Sequence, residues 1–129
     1  MGTYPVTGMI VHIVRRIEWM LAVGRGTYAA DSLRSEGFIH CSKLTQVIDT
    51  ANRFYRGQRD LVVLCIEESR LTAELKYEAP AMPRDEAPGE LFPHLYGELN
   101  VEAVARVVEL PCEADGSFRL PDELLERAR

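Results

Sequence analysis

The chain has 129 residues, 47% of them apolar, enough to bury one hydrophobic core without disulfides or a structural metal. Its 15 basic and 20 acidic residues give a formal charge of −5, and no run of Lys or Arg forms a stripe that follows a phosphate backbone. General nucleic-acid binding is therefore disfavoured, with a short terminal stretch of RNA left as the one nucleic-acid substrate to consider.

Residues 1–8 are turn-rich and read as a loose leader ahead of a single domain over 9–129. Met9 to Val14 is a strand rich in β-branched residues with one polar interruption, His12. Residues 16–23 carry Ile17, Met20, Leu21 and Val23 around Trp19, the pattern of a short helix ending at Gly24 or Gly26. The polar stretch from Gly24 to Gly37 is an ordered loop with a helical turn around Asp31 to Ser35. Residues 37–41 form a second short strand, and period-2 alternation sets Phe38, His40 and Ser42 on one side, Ile39 and Cys41 on the other. Ser42 is placed to cap the next helix, whose stripe of Leu44, Val47, Ile48, Ala51 and Phe54 or Tyr55 ends at Gly57.

Leu61 to Glu67 is a central strand by its near-continuous apolar character, and Ala73 to Glu78 alternates as a half-exposed one. Pro80, Pro83, Pro88 and Gly89 make the stretch from Ala79 to Leu91 a mobile loop. Leu91 to Gly97 resumes aromatic and apolar character, Asn100 caps a single turn through Val104, and Arg106 to Leu110 gives a late strand. From Pro121 to about residue 128 a surface helix is anchored by Leu124 and Leu125. The expected fold is α+β: a small bent or split β-sheet with helices packed on it.

The cysteines, Cys41, Cys65 and Cys112, are odd in number, widely spaced and lack a C-x-x-C pair, so neither a disulfide framework nor a zinc site is expected. No apolar stretch approaches the roughly 20 residues that span a bilayer, and the first residues lack the regions of a signal peptide. A reducing cytoplasm fits this pattern best, with no membrane partner.

The chemistry centres on three histidines, His12, His40 and His94, each among apolar or aromatic neighbours. One such histidine is more often a satisfied core group, since a neutral imidazole needs only one donor and one acceptor partner. Three together point toward a site. No pair has the short spacing that anchors most zinc sites, so no metal is expected, and a metal-dependent hydrolase stands third among the readings. Adjacent strand residues point to opposite faces, which keeps the Cys41 thiol from its neighbour's imidazole and argues against a Cys–His nucleophile. Glu36, Glu78 and Glu98 each lie beside one of these motifs and could orient a histidine, although a solvated surface position is the commoner role for a glutamate. Tyr28, Phe92 and Tyr96 supply aromatic surface suited to a flat ring. Asn52 has the position of a packing or cap-like residue.

The order of motifs resembles the family known as domain of unknown function 952. The matching stretches are His12-Ile13 with Trp19, Gly26-x-Tyr28, Ser32-Leu33-x-x-Glu36-Gly37-Phe38-Ile39-His40-Cys41-Ser42, Gln46, Ala51-Asn52-Arg53-Phe54, and Phe92-Pro93-His94-Leu95-Tyr96-Gly97 leading to Ala103-Val104. They cover about residues 9–110. Glu98 stands where proline is common in that family. The family in turn resembles a divergent ADP-ribosyltransferase-like fold, and the Phe38 to Ser42 strand is similar to the histidine motif of RNA 2′-phosphotransferases, in which a histidine and a nearby hydroxyl hold NAD. The third position of that fold, often glutamate, has no clear match here.

The resemblance implies a NAD-dependent ADP-ribosyl or phosphate-acceptor transferase acting through an oxocarbenium-like transition state. It implies His12 and His40 as NAD-orienting groups, Ser42 and Tyr28 on the ribose or ring, and His94 with Tyr96 completing the wall. The alternative is a non-catalytic module that binds a nucleotide or another small metabolite in the same pocket. The oligomeric state is not written in the sequence.

Overall fold

The computed structural model describes residues 8–80 and 88–128. Three antiparallel sheets carry the architecture. The first joins β1 (Met9–Arg15), β4 (Leu61–Glu67) and β8 (Val104–Leu110) in the order β1-β4-β8. The second pairs the two-residue strands β2 (Thr27–Tyr28) and β7 (Leu99–Asn100). The third has the order β3-β6-β5, from β3 (Ile39–His40), β5 (Glu74–Glu78) and β6 (Phe92–Tyr96). Helices α1 (Arg16–Arg25), α2 (Asp31–Glu36), α3 (Val47–Phe54) and α4 (Asp122–Ala128) complete the described elements. The expected α+β class and split sheet are both present.

β1 and β4 are apolar almost throughout because both faces of their sheet are covered. Val11, Ile13, Val63, Cys65 and Val108 pack with α3 and Leu124 on one side. Ile10, Val14, Val62, Leu64 and Ile66 pack with Ile39, Leu95 and Leu99 of the smaller sheets on the other. A strand buried on both faces loses the period-2 alternation that a half-exposed strand shows.

One segment stitches the large sheet to the β3-β6-β5 sheet. Ile39 and His40 pair with Leu95 and His94 of β6, and the Cys41 N–H donates to the Pro93 carbonyl. Ser42 then leaves β6 and exchanges two backbone hydrogen bonds of 2.8 Å with Val11 on β1. This bridge corrects the expectation for Ser42. Its hydroxyl lies 3.4 Å from the Thr50 hydroxyl and caps no helix, because Ser42 is held extended against β1 and α3 starts only at Val47. The turn before α3 is closed by Gln46, whose Oε1 accepts from the Lys43 N–H while its amide donates to Glu90 and the Leu91 carbonyl.

Other boundaries moved for similar reasons. The turn after Asn100 is a single 3-10 turn, Val101–Ala103, but the Asn100 side chain does not cap it: it accepts from the Thr72 N–H and donates to the Arg70 carbonyl. In α1 only Ala22 is buried, and Ile17, Met20, Leu21 and Val23 all stay more than half exposed. Leu124 anchors α4 and Leu125 is exposed. Asn52 clasps the Phe118 backbone through both its N–H and its carbonyl. Residues 1–7 of the expected leader and 81–87 of the expected loop lie outside the described residues.

Gly97 joins β6 to β7 where the backbone passes Ala73. A methyl group on its Cα would sit 2.7 Å from the Ala73 Cβ. Gly97→Ala is therefore expected to destabilise the protein by roughly 1–3 kcal/mol, read as a lower midpoint in urea unfolding. Adding Ala73→Gly to that variant should recover only the part due to the close contact, since Gly97 also has φ 155°, a backbone conformation that side chains rarely adopt, and an unchanged midpoint for Gly97→Ala alone would contradict the close approach.

Candidate functional site

A cleft of about 400 Å³ opens where β1, the segment 40–42 and β6 meet α3. His12, His40, Ser42 and His94 contribute from the strands, and Asp49, Thr50, Arg53 and Phe54 from the helix. Its volume is in the range of small-molecule pockets. Phe92 and Tyr55 add aromatic surface.

The three histidines occupy three different environments. His12 is 6% exposed, with Nδ1 2.6 Å from the His40 carbonyl oxygen and Nε2 3.0 Å from the Tyr28 hydroxyl. A carbonyl only accepts, so Nδ1 carries the proton and the Tyr28 O–H donates to Nε2. Burial pushes the His12 imidazole down to about 4, against a smaller opposing effect of the His40 carbonyl. His12 lines the cleft, but both of its ring nitrogens are engaged by internal partners, so no free ring nitrogen is left for the ligand-orienting role expected of it. Its ring fixes the backbone of His40 instead.

His40 is the exposed member. Its Nε2 donates to Glu36 at 3.1 Å, a contact made because Gly37, at φ 91°, reverses the chain after α2 and brings β3 back past the helix end. The Ser32 hydroxyl, donating to the Phe38 carbonyl, secures the same turn.

His94 is 2% exposed and stands directly across from His40 in the β3–β6 register. Nδ1 lies 2.8 Å from Glu78 Oε1, and the same oxygen accepts from the Tyr96 O–H at 2.6 Å. These two bonds, Tyr96 first, hold the Glu78 carboxyl below its usual range, while the carboxylate raises the Tyr96 phenol. Phe38 stacks on the His94 ring at 4.1 Å between centroids and 21° between planes, fixing its orientation. Among the described residues, His94 Nε2 is the buried side-chain nitrogen or oxygen without a hydrogen-bond partner.

His40 and Ser42 thus stand together on the cleft wall, and Ile39 is turned into the core, while Cys41 packs in the core and also borders the cleft. Cys41 is 4% exposed and burial pushes its thiol up to about 12, leaving it protonated and inert. Tyr28 and Tyr96 are not among the cleft-lining residues. Tyr28 is buried behind His12, its phenol raised by that burial, and Tyr96 stands behind Glu78 and Phe38. Sequence reasoning missed the α3 contribution of Asp49, Thr50 and Arg53. The signal was present in the helical spacing, since Asp49 and Arg53 are four residues apart and share a face. Glu36 and Glu78 proved to be histidine partners, while Glu98 is exposed. Among the described residues no group of three His, Cys, Asp or Glu side chains is gathered to hold a metal ion, and no helix is long and apolar enough to cross a membrane.

Fold and site together define an α+β protein with a histidine-walled cleft between a split sheet and a helix. The chain belongs to the family described as "Protein of unknown function (DUF952)", which matches residues 13–107. It is similar to the crystal structure of protein CC0527 from Caulobacter crescentus, at 37% identity and a TM-score of 0.79, covering 91% of this chain and 98% of that one. The solution structure of CC0527 is similar at 36% identity and a TM-score of 0.72, covering 90% and 96%. No curated protein matches the chain.

The buried His12 yields a pH prediction. An unfolded chain protonates His12 below about pH 6.5, whereas the folded one resists until about pH 4. Its contribution to stability is therefore complete above pH 6.5 and is lost as pH falls to about 4, a change of roughly 3 kcal/mol. Urea unfolding at pH 7, 5.5 and 4 should show a steeper acid loss in the wild type than in His12→Gln. Equal slopes would remove His12 from the account.

Proposed function

We propose that the cleft binds a nucleotide, with NAD as the leading ligand, and that the protein is a NAD-dependent ADP-ribosyl or phosphate-acceptor transferase on a divergent ADP-ribosyltransferase-like fold. The observation that carries this reading is His94, which lines the cleft and whose buried Nε2 has no partner within the described residues. Leaving a buried polar atom unpaired costs about 1–3 kcal/mol, so a ligand that bonds it recovers that amount on binding. His40 and Ser42 stand beside it, the arrangement that the resemblance to RNA 2′-phosphotransferases associates with NAD.

The rest of the lining suits the same ligand class. Ser42 and Thr50 present two hydroxyls 3.4 Å apart for ribose oxygens, and Phe92, Phe54 and Tyr55 offer surface for a flat ring. Glu36 beside His40 and Asp49 on α3 place carboxylates where a cationic, oxocarbenium-like centre gains from negative charge. The cleft accommodates a nucleoside-sized group, so the remainder of a dinucleotide extends beyond it. His12 contributes by holding the His40 backbone and by its ring surface on the cleft.

Thermal-shift titration with NAD and with ADP-ribose tests this reading, since a ligand that binds only the folded state raises Tm with the logarithm of its concentration. The expected result is a rise with NAD that His40→Ala or Ser42→Ala diminishes, accompanied by slow nicotinamide release. A rise without any nicotinamide release favours a non-catalytic binding module. No rise with either nucleotide rules out both.

A further inference from the structure

The β5–β6 register places a carboxylate behind the imidazole at the cleft wall. Glu78 pairs across from Phe92, and its side chain runs diagonally to His94 on the same face of the sheet. The ionised carboxylate only accepts hydrogen bonds, so the 2.8 Å contact assigns the Nδ1 proton to His94. In this tautomer the lone pair lies on Nε2, the buried atom with no partner. Tyr96 fixes the carboxylate by donating to the same Oε1 through the 2.6 Å bond, and Phe38 holds the ring plane by stacking. The ring is held on one edge and one face, and the residue that carries the unpartnered nitrogen lines the cleft. A fully satisfied structural histidine would look like His12, whose two nitrogens are both engaged.

We propose that His94 is a general base, with Glu78 its positioning residue, and that the group it deprotonates is an acceptor hydroxyl. The identity of the reaction rests on the NAD reading above; the dyad itself does not. Nε2 takes the proton of the acceptor O–H, and the freed oxygen pair forms the bond to the ribose C1′. The C1′–N bond breaks with its electrons leaving on neutral nicotinamide. Glu78 stabilises the imidazolium until Nε2 passes the proton to water. The products are the O-linked ADP-ribosyl acceptor, nicotinamide and one proton. A phosphate acceptor is already ionised near neutral pH and needs no base, so the dyad is required for alcohols or water and adds nothing for a phosphate.

Two measurements decide this. In 15N-histidine-labelled protein, NMR should find His94 as the Nδ1–H tautomer, and Glu78→Gln should shift it toward a mixture with the Nε2–H form. A wild-type His94 protonated on Nε2 alone overturns the dyad, whatever NAD does. For the chemistry, NAD with water as acceptor is followed by nicotinamide release. His94→Gln and Glu78→Gln should each lower kcat roughly 100-fold with Tm close to that of the wild type, and Glu78→Gln, which leaves the His94 ring in place, should do so with KM for NAD little changed. If NAD is cleaved and both variants keep wild-type kcat, the base assignment fails while the NAD reading stands. If NAD is neither bound nor cleaved, the NAD reading fails and the tautomer alone decides the dyad, Nδ1–H sustaining it and Nε2–H overturning it.

Discussion

The change of partner between His40 and Ser42 is the constraint on which the rest of the molecule depends. Up to Cys41 the segment belongs to β6, and from Ser42 it belongs to β1. Backbone hydrogen bonds on buried strands are obligatory, so a segment that divides its bonds between two sheets ties their positions to each other. The His12 ring adds a third tie by donating to the carbonyl of His40 at the crossing point. From this one arrangement follow the orientation of Ile39 into the core, the place of His40 and Ser42 on the cleft wall, and the late start of α3.

Electrostatics then separates three chemically identical side chains. His12 is surrounded by core and engaged at both nitrogens, so burial dominates and the ring stays uncharged until about pH 4. His40 keeps solvent contact and a carboxylate neighbour. His94 is as buried as His12 but is engaged at only one nitrogen, and the partner there is charged. The contrast between two buried histidines, one closed and one open, is what gives the cleft a direction. The aromatic rings of Phe38 and Tyr96 shape the site from behind without lining it.

The helix on the opposite wall shows how the same residues serve core and site. Val47 and Ala51 of α3 are buried against β1 and β4, while Asp49, Thr50 and Arg53 turn toward the cleft. Gln46 and Asn52 hold the helix at its two ends, the first to the approach to β6 and the second to the backbone of Phe118. The cleft is consequently braced on both sides by elements whose own positions are hydrogen-bonded, which is the condition for a preorganised binding site.

Much of this was legible in the residues alone. The strands β1, β4 and β6 were readable because β-branched and apolar runs have few other uses, and the shared facing of His40 and Ser42 followed from the two-residue period of extended backbone. The inertness of Cys41 followed from the same period. Less legible was α1, whose apolar residues predict a buried face yet remain exposed, since periodicity reports what a face is made of and not whether anything covers it. The bridge from Ser42 to Val11, the closure of His12 by Tyr28, and the reach of Glu78 to His94 join residues between 16 and 31 positions apart in the chain. Such pairings depend on strand register, and register is set by how distant segments pack together. The sequence by itself determined which residues lie on which face of each strand; only the tertiary structure decided which faces meet, and therefore which buried histidine has both nitrogens engaged and which keeps one without a partner.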